Sequence, residues 1–185
     1  LQLDEPMARH CTWRVGGPAD AFTMVASTDE LRRVLIAARE AGSPVFLLGA
    51  GSNILVSDQG IRGLVVWNRA RRIELLPVAG PVSDDRGEKP AVIRAEAGAL
   101  LNRVANFAAE QGLTGLEWAA GIPGTVGGGV VGNAGAHGSC VADVLQAAVL
   151  LLPSGEIRSV EPHDLGLGYR VSRLKGKQFD GDSPV

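Results

Sequence analysis

Apolar residues recur along this chain at a helix period in some segments and as short runs in others, which predicts a mixed α and β fold. The run at residues 21–25 predicts a strand, and the segment after it predicts a helix. This helix has Ser27 or Thr28 as its N-cap, acidic residues in its first turn and Gly42 after its last turn. Its buried face is formed by apolar residues at helical spacing, which are Leu31, Val34, Leu35 and Ala38.

The same pattern continues to the end of the chain. Strands are predicted at residues 44–48, 54–56, 64–67, 73–78, 91–96, 144–152 and 157–160. A second helix ends near Gly112 and is marked by Leu100, Val104, Phe107 and Ala108. Residues 80–90 predict an exposed hairpin loop, and residues 153–156 predict a turn. The first elements form a β-α-β unit with a glycine turn at its carboxyl end, and no internal repeat is evident.

That glycine turn, residues 49–53, resembles half of the dinucleotide fingerprint of Rossmann folds. Ile54 occupies the position of the third glycine, and extended chain is predicted where the fingerprint needs a helix. The Rossmann arrangement is therefore excluded. Two interpretations remain, which are a nest of backbone N–H groups that holds a pyrophosphate and an ordinary turn between elements.

Residues 121–138 form a second, longer glycine run. Eight of its eighteen residues are glycine and none is charged, and Val130 and Val131 call for burial, so it is unlike a flexible linker. A short helix is predicted between turns at residues 123–125 and 133–135. Either the run lines a phosphate or the edge of a flat ring, or its small residues let two elements pack closely. Two such loops in one chain favour a dinucleotide site, because the phosphates need a cradle and the rings need a wall.

Tyr169 and Arg170 form a third candidate. Arginine is permanently charged and forks onto carboxylate or phosphate, so this pair is suited to positioning an anionic substrate. The alternative is a surface arginine beside a half-buried tyrosine.

Composition narrows the choice of function. A formal net charge of −2 with scattered basic residues excludes nucleic acid as a partner, and the basic cluster at residues 69–72 is expected to be a solvated loop. No apolar stretch is long enough for a membrane span, and no signal peptide is visible. Cys11 and Cys140 form no disulfide framework, and the three histidines lack metal-ligand spacing, so we expect a cytoplasmic protein without a metal.

Five segments, in order and spanning nearly the whole chain, resemble the UDP-N-acetylenolpyruvoylglucosamine reductase family of bacterial cell-wall synthesis. They lie at residues 12–19, 48–55, 121–128, 133–136 and 168–172. The resemblance implies an α+β fold, namely the two-subdomain FAD-binding fold of p-cresol methylhydroxylase type. The expected subdomains are residues 1–76, with the first glycine turn, and residues 77–185, with the start of the substrate site.

The resemblance also implies roles for residues. In the family, NADPH reduces FAD, and the flavin N5 hydride then goes to the enolpyruvyl β-carbon of a UDP-sugar. Negative charge develops at the α-carbon and carboxylate, so Arg170 is implied as the catalytic residue and Tyr169 as a substrate-binding residue. The residues implied to bind the cofactor are Gly49, Ala50, Gly51, Ser52, Asn53, Ile54, Ile122, Pro123, Gly124, Thr125, Gly127, Gly128, Asn133, Ala134 and Gly135.

The chain departs from the family at two packing positions. Cys11 stands where asparagine is common, and Leu174 replaces a usual phenylalanine. The family also has a C-terminal substrate-binding domain with a serine proton donor and a glutamate, and nothing in residues 171–185 matches either. We therefore expect the FAD-binding portion of the reductase, with no obligate protein partner.

Two other classes of function remain open. One is a flavin oxidoreductase of the same fold that acts on an alcohol or hydroxy acid, which the Tyr169-Arg170 pair disfavours. The other is a glycine-rich binding module without catalytic activity.

Overall fold

The computed structural model describes residues 1–77 and 91–175. Its strands are β1 (Gln2–Pro6), β2 (Pro18–Val25), β3 (Val45–Leu48), β4 (Ile61–Asn68), β5 (Ile73–Leu76), β6 (Val92–Ala95), β7 (Gly135–Ala136), β8 (Ser139–Cys140), β9 (Ala148–Leu151) and β10 (Ile157–Val160). Its α-helices are α1 (Thr28–Glu40), α2 (Leu101–Glu110), α3 (Val126–Val131) and α4 (Val141–Val144). None of the helices in these two ranges is both long and apolar enough to cross a membrane.

A four-stranded sheet in the order β1-β2-β4-β3 organises the first half of the chain. β4 lies parallel to both β2 and β3, and β1 closes one edge antiparallel to β2. Because β3 and β4 run in the same direction, their last residues meet at one edge of the sheet, where Leu48 pairs with Trp67. The first glycine turn leaves the sheet from this edge.

α1 forms as its sequence predicts. Its N-cap is Ser27, whose hydroxyl oxygen accepts a hydrogen bond of 3.2 Å from the N–H of Glu30. Leu31 and Leu35 are buried in one apolar cluster with Val66 of the sheet. Gly42 adopts a φ of +62° just beyond the helix, a conformation that glycine takes without strain.

The sheet is covered on both faces, so β4 is apolar on both sides. Val65 and Val66 are fully buried and belong to different clusters, since successive side chains of a strand point to opposite faces. Val66 packs with α1, and Val65 packs with Met7 and Val56. Two short segments outside regular strands thus cover the face opposite α1.

The second half builds its own core from α2, α3 and the β9–β10 hairpin. This cluster includes Leu101, Trp118, Val130, Val160 and Leu165. Leu174, one of the departures from the family, is half-buried against it. The change from phenylalanine is therefore accommodated as packing.

The two halves are joined where α1 meets the turn of the β9–β10 hairpin. The guanidinium of Arg32 donates to the carbonyl of Gly155 at 3.1 Å, and that of Arg39 donates to the carbonyl of Pro153 at 2.6 Å. Leu151 of β9 also packs against the α1 cluster. These contacts fix the hairpin of the second half on a helix of the first.

Most predicted elements are confirmed, and two are wrong. Residues 54–56 form no strand, although Val56 is buried, and the strand predicted at residues 144–152 is limited to β9. The hairpin loop predicted at residues 80–90 lies outside the described residues. The predicted subdomain boundary after residue 76 separates β5 from its partner β6, and it stays a prediction.

Candidate functional site

The two glycine segments lie against each other. The hydroxyl of Ser52 donates a hydrogen bond of 3.3 Å to the carbonyl of Pro123. A Cβ atom added to Gly49 would lie 2.5 Å from the hydroxyl oxygen of Thr125. The structure therefore brings together the two loops that the sequence assigned to one site, although they are about 70 residues apart.

The first glycine turn presents a row of consecutive backbone N–H groups. Within residues 1–77 and 91–175, the N–H groups of Ala50, Gly51, Ser52 and Asn53 donate no hydrogen bond. The N–H groups of Gly124 and Thr125, on the facing loop, also lack an acceptor in this part of the chain. Consecutive free N–H groups form an anion-binding nest, so these residues fit a phosphate-bearing ligand.

The turn is held in place by groups that are distant in sequence. The carbonyl of Gly51 accepts a hydrogen bond of 3.0 Å from the N–H of Thr12, and Gly51 itself has a φ of +66°. On the other side, the indole Nε1 of Trp67 donates to the carbonyl of Gly49 at 2.9 Å. The segment at residues 12–19 thus has a structural role, because its first residue, Thr12, braces the turn.

Cys11, the other departure from the family, belongs to this brace. Its thiol is buried and donates to the carbonyl of Val15 at 3.1 Å. The thiol therefore satisfies a backbone carbonyl of the segment that braces the turn.

The first turn of α3 has no donors left for a ligand. The N–H groups of Val126 and Gly127 donate to the carbonyls of Ala99 and Ala97 at 2.8 and 2.9 Å. The N–H of Gly128 donates to the side chain of Thr125 at 3.4 Å. Among the described residues, the second loop therefore offers free N–H groups only before α3, at Gly124 and Thr125, and the longer row of free N–H groups belongs to the first turn.

Close packing, one of the two interpretations of the long glycine run, holds for some of its glycines, and ligand lining stays a prediction for the others. A Cβ atom at Gly129 would lie 3.1 Å from Leu101, and one at Gly135 would lie 2.6 Å from Cys140, so these two glycines allow close packing. A Cβ atom at Gly121 would meet nothing within 4 Å among the described residues, and one at Gly128 would meet only Thr125. A ligand can approach the backbone at these open positions.

Asn133 joins α3 to the segment that carries Tyr169 and Arg170. It is 7% exposed, and its Nδ2 donates to the carbonyl of Gly168 at 2.9 Å. Its Oδ1 accepts from the N–H of Ala142 at 3.0 Å. Asn133 thus has a structural role that the sequence did not reveal, while its contact with a cofactor stays a prediction.

Tyr169 and Arg170 occupy the tip of a tight hairpin whose ends, Gly168 and Val171, pair with each other. The Tyr169 side chain is 92% exposed, so the alternative of a half-buried tyrosine is wrong. The guanidinium carbon of Arg170 lies 5.9 Å from the centre of the tyrosine ring. The hydroxyl of buried Ser172 donates to the carbonyl of Val131 at 2.7 Å and anchors the hairpin at the end of α3.

Replacement of Asn133 by alanine should lower the free energy of unfolding by about 1–3 kcal/mol, because the half-buried carbonyl of Gly168 and N–H of Ala142 would lose their partners. Urea denaturation measures this change. Asn106→Ala, on the exposed face of α2, is the matched control and should change stability by less than about 0.5 kcal/mol. An equal effect of the two substitutions would contradict the structural role of Asn133.

The sequence analysis did not identify the aromatic side chains that pack next to the first glycine turn. The ring of His10 stacks on Phe22 at 4.3 Å and meets Trp67 edge-on at 5.3 Å, while its carboxylate partner Glu5 lies 2.9 Å away. Trp67 could have been found from its position at the carboxyl end of a parallel strand, because ligands bind outside that edge of a sheet. His10 gave no such signal.

The fold and the loops define a class of protein. The FAD-binding domain family matches residues 19–161, which is most of the chain, and this chain belongs to that family. The expected flavin-binding fold is confirmed by this match. It also agrees with the open glycine loops and the free N–H groups of the first turn.

Within that class, the similar proteins share one name. A UDP-N-acetylenolpyruvoylglucosamine reductase of Chloroflexus aurantiacus is 42% identical over 185 residues, which is 100% of this chain and 59% of that protein. Its counterpart in a Synechococcus species is 45% identical and matches 95% of this chain and 53% of its own length. The predicted resemblance is confirmed, and the chain spans a little over half the length of these relatives.

Solved structures agree at the level of the fold. The crystal structure of a UDP-N-acetylenolpyruvylglucosamine reductase from Thermus caldophilus has a TM-score of 0.68 at 33% identity, over 97% of this chain and 57% of that one. A VAO-type flavoprotein from Myceliophthora thermophila has a TM-score of 0.55 at 19% identity, over 73% of this chain and 25% of that one. The second likeness confirms the fold class alone.

Proposed function

We propose that this chain is the FAD-binding part of a UDP-N-acetylenolpyruvoylglucosamine reductase. The complete cytoplasmic enzyme would use NADPH to convert UDP-N-acetylglucosamine enolpyruvate to UDP-N-acetylmuramate, a step of peptidoglycan synthesis on which cell shape and division depend. The observation that carries the proposal is the row of free N–H groups at residues 50–53, set against a second glycine loop. The relatives at 42% and 45% identity support the choice of substrate.

The cofactor would be held by the first glycine turn and covered by the second loop. The free N–H groups of the turn would bind the pyrophosphate, and Gly121, Gly124 and Gly128 would let the flat ring approach the backbone of the second loop. When bound, FAD supplies the hydride that reduces the enolpyruvyl double bond.

Arg170 would stabilise the negative charge that develops on the substrate during this reduction. It is suited to this role because its side chain is permanently charged and makes no ion pair within residues 1–77 and 91–175. The hairpin that carries it is fixed to the end of α3 by Ser172 and Asn133. Thr125 lies next to the nest, at the opposite end of this six-residue helix. The helix rise separates its two ends by about 9 Å.

The purified protein should bind FAD with micromolar or tighter affinity and show flavin absorbance that is released on denaturation. Titration of the flavin-free protein with FAD, followed by tryptophan fluorescence and flavin absorbance, measures this binding. Protein that is folded but takes up no FAD would contradict the proposal and favour a binding module of another kind.

The substrate class is tested in the full-length protein. NADPH should reduce the bound flavin, and the enolpyruvyl UDP-sugar should reoxidise it. Reduction by an α-hydroxy acid and not by NADPH would instead support an oxidoreductase of the same fold with a different substrate.

A further inference from the structure

The basic cluster at residues 69–72 contains two cations that have no carboxylate partner in the described part of the chain. Arg72 pairs with Glu74 at 2.8 Å, as expected for a solvated surface arginine. Arg69 and Arg71 form no ion pair and no side-chain hydrogen bond within residues 1–77 and 91–175. Among the described residues, nothing neutralises these two cations.

Arg69 lies beside the first glycine turn. Its guanidinium carbon is 4.5 Å from the centre of the Trp67 ring, and the same indole donates its N–H to the carbonyl of Gly49 at 2.9 Å. Trp67 stands near the end of β4, directly next to the end of β3 from which the turn leaves. One indole ring thus connects the cation with the turn.

The loop that carries Arg69 also reaches the second glycine loop. A Cβ atom at Gly98 would lie 2.6 Å from the carbonyl oxygen of Ala70 and 2.7 Å from that of Asn68, so the backbone on either side of Arg69 packs directly on Gly98. The carbonyl of Ala97 in turn accepts the N–H of Gly127 at 2.9 Å. Arg69 therefore stands at the junction of the two loops that form the candidate site.

The charge balance of this junction favours an anion. Partial burial and the neighbouring charge of Arg69 lower the pKa of the Arg71 guanidinium. The first glycine turn offers only N–H dipoles, while a diphosphate brings full negative charges. An arginine at the edge of such a nest supplies the countercharge and two parallel donors.

We propose that Arg69 binds the phosphates of the cofactor from the edge of the first glycine turn, held in position by its stacking on Trp67. This inference rests on the proposed function, because it requires FAD in the site. The sequence analysis expected residues 69–72 to form a solvated loop, whereas the proposal gives one residue of this cluster a contact with the ligand.

The test compares FAD with riboflavin, which has the same ring system and no phosphate. Arg69→Gln keeps a planar group over Trp67 but removes the charge, and Arg69→Lys restores the charge. Arg69→Gln should weaken FAD binding about 10- to 100-fold, the range for a lost hydrogen bond to a charged group. Riboflavin affinity should not change, and Arg69→Lys should recover part of the FAD affinity.

Arg72→Gln is the matched control, because Arg72 belongs to the same cluster but pairs with Glu74. It should leave FAD affinity unchanged. The wild-type affinity for FAD should fall with added salt more steeply than that of Arg69→Gln, since the ionic contact is screened.

Three results would overturn the inference. One is an unchanged FAD affinity in Arg69→Gln, and another is an equal loss for FAD and riboflavin, which would mean that Arg69 acts only by supporting Trp67. A wild-type protein that binds riboflavin but not FAD, or neither, would overturn the proposed function and this inference with it. Thermal unfolding of each variant shows whether a loss of binding follows from a loss of fold.

Discussion

Replacement of Gly51 by valine should abolish FAD binding and destabilise the protein strongly. Gly51 has a φ of +66°, and a Cβ atom there would collide with the carbonyl oxygen of His10. The backbone of the turn would have to move away from the N-terminal loop, and the hydrogen bond from Thr12 to Gly51 would break with it. The free N–H groups that form the nest would then no longer point together.

Gly42 provides a matched control for this substitution. It has a similar φ of +62°, but a Cβ atom there would meet nothing within 4 Å among the described residues. Gly42→Val should therefore cost only backbone strain, about 1–3 kcal/mol. Gly51→Val should cost a further 1–3 kcal/mol, roughly, for the collision.

Urea denaturation and FAD titration of the two variants separate these effects. Gly42→Val should bind FAD like the wild type, and Gly51→Val should not bind it. If both variants have the same stability and both retain FAD, then the turn is not rigidly braced and does not hold the cofactor.

Replacement of Arg170 by alanine in the full-length protein should reduce kcat by about 30- to 1000-fold, which corresponds to about 2–4 kcal/mol of lost transition-state stabilisation. The side chain is exposed at the tip of the hairpin, and within residues 1–77 and 91–175 it makes no ion pair and no side-chain hydrogen bond. Alanine has a Cβ atom like arginine, so a φ of +58° strains the backbone no more than in the wild type. FAD affinity should therefore be unchanged.

Arg173→Ala is the control for a nearby positive charge. The guanidinium of Arg173 donates to the carbonyl of Asp164 at 3.1 Å, and its role is confined to the surface. Steady-state kinetics with saturating NADPH should show nearly normal kcat for this variant. An unchanged kcat in Arg170→Ala would remove Arg170 from the mechanism.

Local signals predicted the regular elements well. The Ser27 cap, the face of Leu31 and Leu35, and the end of α1 at Gly42 are all set by neighbours within one or two turns. The β9–β10 hairpin was equally visible, because its turn contains Pro153 and Gly155. In each case the residues that decide the structure are adjacent in the sequence.

The errors arise where the partner is distant. Residues 54–56 are apolar because Val56 packs on Met7 and Val65, and they pair with none of the described strands. β1 escaped notice because its exposed edge position allows acidic residues such as Asp4 and Glu5. The pattern of apolar residues indicates which side chains are buried. It does not indicate which backbone groups will form hydrogen bonds to a neighbouring strand.

The candidate site shows the same division. The two glycine loops and the Tyr169-Arg170 pair were predicted from their residue types, and the structure confirms that the loops meet. The sequence did not reveal that the carbonyl of His10 leaves no room for a side chain at Gly51, or that Asn133 supports the Tyr169-Arg170 hairpin. Both contacts depend on the folded backbone. The roles of the individual site residues toward FAD stay predictions.

The contacts that join the two halves have a consequence for how the protein folds. The hydrogen bond between Arg32 and Gly155 closes 123 residues of chain, that between Arg39 and Pro153 closes 114, and that between Ser52 and Pro123 closes 71. Closing a long loop costs conformational entropy before the contacts that it allows can stabilise the protein. Contacts of this kind therefore form after local hairpins and helices. The junction that builds the site should therefore be the last part to assemble and the first to open. A cofactor bound across this junction would hold the two halves together, so the apparent stability of the protein should rise with the cofactor concentration.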